Sequence, residues 1–150
     1  MLRSFRGWYA KRSQAVCASL LASTVTFAQG EAGLTTEQTD ALEDRVQQRW
    51  QAMIAKDFGS VWEFSTPTFR GIFSKSMYVH KFSYAVDWEL TEIEIVNYDA
   101  DAAVASVAVG VMSKPVKHTS AASKALGAVP VTMNEKWIFT DGEWWHSTND

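Results

Sequence analysis

The spacing of apolar residues changes once along this 150-residue chain, from steps of three and four to steps of two, and the change falls after Tyr84. A helical period laid down as a strand scatters apolar side chains over both faces, so this one switch predicts helices first and sheet second. Upstream, Leu42, Val46, Trp50, Met53 and Ile54 recur at helical steps, and Glu43, Asp44, Arg45, Gln47, Gln48 and Arg49 fill the other face. Thr35 and Gln38 have capping-box spacing, which predicts a one-sided helix of about five turns starting at Thr35 or Thr36. Asp57 is placed to cap a second, short helix through Phe58, Val61, Trp62 and Phe64, which the Thr66-Pro67 step stops. A third short helix is expected from Ser74 through Met77, Tyr78 and Phe82.

Beyond Tyr84 the residues are β-branched and aromatic and alternate in polarity. The first strand runs from about Asp87 to Tyr98, but Trp88 and Leu90 are even-numbered while Ile93 and Ile95 are odd. A strand with period two holds all four on one face only if an extra residue is inserted, which predicts a bulge near Thr91-Glu92. Asp99-Ala100-Asp101 is a turn, and the next strand sets Ala105, Val107, Val109 and Val111 against Ser106, Ala108 and Gly110 until Pro115 ends it. Lys114 to Gly127, small and polar around Leu126, reads as a loop. A third strand from Val129 to Thr140 turns at Asp141-Gly142, a strong hairpin signal, into a last strand through Trp144, Trp145 and His146. Helices followed by an antiparallel meander make an α+β fold, with the N-terminal helices packed on a strongly bent sheet.

The segment ahead of these elements has a different character. Arg3, Arg6, Lys11 and Arg12 occur with no acid, the apolar run Ala15 to Ala28 follows, and Gln29-Gly30-Glu31 is polar. That order reads as a signal peptide over 1–28 with Thr26-Phe27-Ala28 at the cleavage site, followed by a flexible 29–35 and one domain over 36–150. The apolar run is shorter than the roughly 20 residues of a membrane-spanning helix, so no span remains after processing. The location implied is periplasmic or secreted. A mitochondrial presequence is the alternative, since Leu2, Phe5 and Tyr9 share one face of an acid-free, Arg- and Ser-containing stretch.

Losing that segment removes four cations and no acid, taking the formal charge from −3 to −7. Such a surface, with its cations scattered singly, holds phosphate backbones and anionic lipid poorly, which argues against nucleic acid and membrane surfaces as partners. Cys17, the single cysteine, lies in the apolar run and leaves with it, so the domain is held by its core without disulfides. Acylation at Cys17 is disfavoured by the Gln14-Ala15-Val16 that precedes it.

Arg49-Trp50-Gln51-Ala52-Met53-Ile54-Ala55-Lys56-Asp57-Phe58, leading to Trp62 and Thr66-Pro67, together with Glu135-Lys136-Trp137 and Asp141-Gly142-Glu143-Trp144-Trp145, resembles the NTF2-like superfamily, which includes SnoaL-like and ketosteroid-isomerase-like proteins. The resemblance covers the chain from about residue 36 onward and is strongest to an exported subgroup of unknown role. It implies a cone, in which a bent sheet wraps a long helix around an apolar pocket, and often a dimer. The superfamily includes isomerases, dehydratases, cyclases and epoxide hydrolases as well as binders and scaffolds, so the fold does not settle the function.

Glu135 shares the odd-numbered face of its strand with Val131, Met133, Trp137 and Phe139. An acid on an apolar face is paired, exposed at the rim, or raised in pKa toward the range of a general base. Asp87 beside Trp88 is a second carboxylate candidate, with Tyr78 and Tyr84 as phenol donors, although a solvated strand start accounts for Asp87 more simply. Trp50, Trp62, Tyr78, Tyr84, Trp88, Glu135 and Trp137 are the expected ligand-binding set. His80, His118 and His146 lack metal-ligand spacing and are expected at the surface. Trp144 and Trp145 must face opposite ways, leaving one for a dimer or ligand surface. No phosphate loop, nucleophile elbow or Ca²⁺ loop is present, and no cofactor is implied.

These residues lead to an exported domain that binds a small apolar molecule or a partner protein without catalysis, with a homodimer through the outer sheet face as one arrangement. The alternatives are a cofactor-independent isomerase or dehydratase with Glu135 or Asp87 as base and a tyrosine donor, and a scaffold subunit of an envelope assembly.

Overall fold

In the computed structural model, residues 33–82, 86–116, 125 and 127–148 are described. The expected leader, Cys17, Tyr84, His118 and most of the 114–127 loop lie outside them. Helix α1 (Thr36–Ile54) starts at its capping box: the Thr35 hydroxyl accepts from the Gln38 amide at 3.1 Å, and the Gln38 side chain accepts from the Thr35 amide at 3.0 Å. It ends on Lys56 in the left-handed region (φ 58°), with the Asp57 amide reaching the Ala52 carbonyl and the Lys56 amide the Met53 carbonyl. This is a Schellman closure made without glycine, and it turns the chain directly into the next cap. Asp57 accepts from the Ser60 amide to open α2 (Phe58–Glu63).

The Thr66-Pro67 step does more than stop α2. Thr66 accepts from the Phe69 amide and opens a further helix, α3 (Pro67–Ile72), because proline's fixed φ and missing N–H suit a first helical turn. Four helices therefore precede the sheet where three are expected, the last being α4 (Lys75–Val79), capped by Ser74.

Strands β1 (Val86–Asp99), β2 (Val104–Pro115), β3 (Val129–Thr140) and β4 (Glu143–His146) pair antiparallel in chain order. The predicted bulge is present: Leu90 pairs with Val111 and Glu92 with Gly110, leaving Thr91 extra, and a second shift between Ile95 and Asn97 leaves Val96 extra. Two slips in parity let Trp88, Leu90, Ile93, Ile95 and Tyr98 all pack against the core. Gly110 makes room for the first bulge, since a Cβ there would lie 2.9 Å from Thr91 Oγ1 and 3.2 Å from Glu92 Cβ. Gly110→Ala is expected to cost about 1–3 kcal/mol by overpacking, read as a lower urea midpoint with an unchanged m-value. The β3–β4 turn has positive φ at both Asp141 (54°) and Gly142 (80°), the requirement of a type I′ hairpin.

The core joins Leu42, Val46, Trp50 and Met53 of α1 to Ala105, Val107, Val109 and Val111 of β2, with Trp137 and Trp144 closing it from β3 and β4. The odd-numbered face of β3 is not buried along its whole length. Trp137 is fully buried, but Val131 and Met133 are 37% and 44% exposed, and β4 pairs only with Trp137 to Thr140 at the far end of the strand.

Candidate functional site

Consecutive residues of α1 and alternate residues of β3 meet inside the fold. The Glu135 carboxylate accepts from Arg49 Nη1 at 2.5 Å and from Trp50 Nε1 at 3.0 Å through Oε1, and from Trp137 Nε1 at 3.0 Å through Oε2. Arg49 and Glu135 are both buried. Two ions in an interior of low polarity hold together only with close geometry and filled lone pairs, and three donors on one carboxylate meet that condition.

Around this pair lie His146, Tyr78 and Ser65. His146 pairs in register with Trp137, their rings 5.5 Å apart and nearly perpendicular, and the His146 amide donates to the Phe64 carbonyl. Burial, with the neighbouring Arg49 charge adding to it, pushes the His146 imidazole down to about 2, so it is neutral. Burial likewise pushes the Tyr78 phenol up, against the opposing pull of Arg49. Among the described residues, Arg49 Nε and His146 Nδ1 are buried without hydrogen-bond partners, and the buried Ser65 side chain lies beside the Tyr78 phenol. The cluster holds one anion, one cation and several neutral groups, and Glu135, its single carboxylate, is occupied by donors.

The structure therefore brings together Trp50, Tyr78, Glu135 and Trp137, with Trp88 edge-on to Trp50 at 6.2 Å. Asp87 stays apart, more than half exposed and paired with Lys56 at 2.6 Å. Trp62 is also apart: its Nε1 donates to the Phe73 carbonyl, and Arg70 and Lys75 lie over its ring. Two members of the cluster were placed elsewhere by sequence reasoning. Arg49, assigned to the polar face of α1, is buried; it stands three residues after Val46 and four before Met53, within the apolar stripe, and that spacing is the signal. His146, expected at the surface, is 7% exposed; it shares the face of buried Trp144, two residues earlier on β4. His80 lies outside the cluster, its Nδ1 2.6 Å from the Ser76 carbonyl oxygen.

Trp145 faces away from Trp144 and carries two guanidinium groups, Arg45 at 5.0 Å and Arg70 at 4.8 Å from its ring centre. Arg45 also lies over Phe64, and Glu63 accepts from both Arg70 and Lys75. Alternating cations and rings thus fasten α1, α2, α3 and β4 to one another.

A separate cleft of about 480 Å³ opens between α3 and the β3–β4 hairpin. Its apolar lining is Pro67, Phe69, Ile72, Phe73 and Ile138, and Thr66, Thr68, Thr140, Asp141, Ser147 and Thr148 complete the wall. A cleft of this size with an apolar lining and a few polar residues in its wall has the make-up of a small-molecule site. A smaller cavity of about 240 Å³ touches Glu135 between Ser106, Asn134 and Lys136, which alternate to the outer sheet face, away from the buried carboxylate. Among the described residues, no three His, Cys, Asp or Glu side chains come together to hold a metal ion, and no helix is long and apolar enough to cross a membrane.

No protein-family model matches the chain, and no curated protein sequence matches it. Solved structures match distantly. Aln2 from a Streptomyces species is 11% identical with a TM-score of 0.46, over 76% of this chain and 89% of that one. A SEC-C motif-containing protein from Rhodopseudomonas palustris is 14% identical with a TM-score of 0.42, over 71% and 75%. The intermembrane space region of the chloroplast protein ARC6 is 11% identical with a TM-score of 0.39, over 72% and 91%. Likeness at this level transfers neither family nor activity to this chain, whose fold class is α+β on its own elements.

Proposed function

We propose that this protein is an exported, NTF2-like binding domain that holds a small, largely apolar molecule in the cleft between α3 and the β3–β4 hairpin without catalysing a reaction on it. The observation that carries this reading is the separation of the cleft from Glu135 and His146, which leaves Asp141 as the one titratable side chain in its lining. Phe69, Phe73 and Ile138 offer apolar area there among polar residues of the wall, while Glu135, Arg49 and His146 are engaged in the core. A general base must reach the proton it removes, and Glu135 is enclosed by its three donors. Export rests on the leader-like segment, and the superfamily on the residues that resemble it.

The test uses Nile red, a neutral apolar dye, with Thr68→Trp as the blocking variant. Thr68 is an exposed residue of α3 lining the cleft, so an indole there fills the space without disturbing the core. The protein is expected to bind the dye with an increase in fluorescence, and Thr68→Trp is expected to weaken binding about tenfold with an unchanged melting temperature. Absence of dye binding, or equal binding by the variant, sinks the reading. Native mass spectrometry of protein from its own host then identifies the natural occupant.

A further inference from the structure

We infer that the cleft between α3 and the β3–β4 hairpin takes an organic cation, an apolar skeleton carrying an ammonium group, in preference to neutral or acidic molecules of the same shape. This rests on the cleft reading above and adds to it the charge of the occupant. The wall contains one titratable residue, Asp141, and no Lys, Arg or His. Its carboxyl carbon is two bonds from the Cα, so the charge stays close to the wall in every rotamer.

The hairpin does not use this carboxylate. An aspartate in a turn ordinarily accepts from amides further along its own turn, as Asp99 does from those of Asp101 and Ala102. Asp141 makes no such bond, and among the described residues its carboxylate has no hydrogen-bond or ion-pair partner. What the turn requires of position 141 is the left-handed backbone (φ 54°), which asparagine supplies as well. Lys81 approaches the same wall, yet its Nζ lies over the Phe73 ring at 5.6 Å and not against Asp141. The carboxylate is therefore left to an occupant.

The rest of the wall sets the other half of the ligand. Phe69 and Phe73 stack at 4.8 Å, and Ile72 beside them is 70% exposed, an apolar area that a carbon skeleton would cover. An ammonium on that skeleton meets Asp141 as an opposite charge, and an acid on it meets Asp141 as a like charge. The field of a chain at formal charge −3 favours the cation further. Asp141 is exposed, so water screens the pair and the preference is a few-fold rather than absolute.

The experiment displaces Nile red with naphthylmethylamine, naphthylmethanol and naphthoate, one skeleton bearing cationic, neutral and anionic heads. Near pH 7 the amine is expected to bind at least threefold tighter than the alcohol, and the naphthoate more weakly than either. In Asp141→Asn the ratio of amine to alcohol affinity is expected to fall to about one; a ratio within one variant is insensitive to changes in the dye or the fold. In the parent, about 1 M NaCl is expected to shrink the same ratio. Nile red that binds and responds to Thr68→Trp, with the amine no better than the alcohol, overturns this inference and leaves the cleft reading standing. A preference that survives Asp141→Asn, or that ignores salt, also overturns it. Failure of Nile red to bind, or its indifference to Thr68→Trp, removes the cleft reading and this inference together.

Discussion

Glu135→Ala is expected to lower the stability of the domain by about 3–5 kcal/mol, the range for breaking a buried ion pair from one side. The loss is large because of what stays behind. Arg49 remains buried without a counter-charge, and the indole N–H groups of Trp50 and Trp137 lose their acceptor together. Glu135→Gln retains a carbonyl acceptor for part of the set and is expected to cost less. Replacing both ions with apolar residues of similar volume, Arg49→Met with Glu135→Leu, is expected to recover much of the single-variant loss, because no buried charge is left unpaired. Urea unfolding of the three variants checks the order. A Glu135→Ala protein within about 1 kcal/mol of the parent would show that the pair is solvated in solution.

Stability is also expected to fall as the pH is lowered through the range below about 6.5. His146 titrates near 6.5 when unfolded and at about 2 when folded, so below 6.5 the unfolded chain binds a proton that the folded protein refuses. The unfolded state then holds more protons, and the free energy of unfolding decreases with falling pH by about 1.4 kcal/mol per unit, or about 2 kcal/mol between pH 6.5 and 5. Above 6.5 both states are neutral at this residue and the contribution is flat. Asp57 and Glu63 are both held below the usual carboxylate range, Asp57 mainly by the Ser60 side chain and Glu63 mainly by the Lys75 side chain. Their share of stability is lost only at lower pH, near and below the unfolded carboxylate range of about 4, so the interval from about 5 to 6.5 isolates the histidine. His146→Phe keeps a ring against Trp137 and is expected to flatten the slope in that interval; thermal melts of parent and variant across it decide the matter. An equally steep slope in the variant would assign the proton to another group.

The features that sequence alone determined are those whose causes lie within a few residues of one another. Thr35 with Gln38 begins α1, Asp57 begins α2, and Asp141-Gly142 turns β3 into β4, because caps and tight turns are local hydrogen-bonding problems with few solutions. The bulge at Thr91 was legible because a slip in parity between Leu90 and Ile93 has one geometric remedy. The helix after Thr66-Pro67 lay in the same local chemistry, but proline reads equally as an ending and a beginning.

The candidate site was half legible. Trp50, Tyr78, Glu135 and Trp137 carry the size and polarity that single them out, whereas their partners Arg49 and His146 resemble ordinary surface residues until the helix is laid on the sheet. Arg49 is 86 positions from Glu135 in the chain, and their pairing exists only because α1 crosses the face of β3 at that strand's second half. Tertiary structure alone also decided that Val131 and Met133 stay exposed while Trp137, on the same face of the same strand, is buried. Alternation assigns a side chain to a face, but burial requires something packed on that face, and here Arg49 and Trp50 of α1 meet it at Glu135, beyond Val131 and Met133.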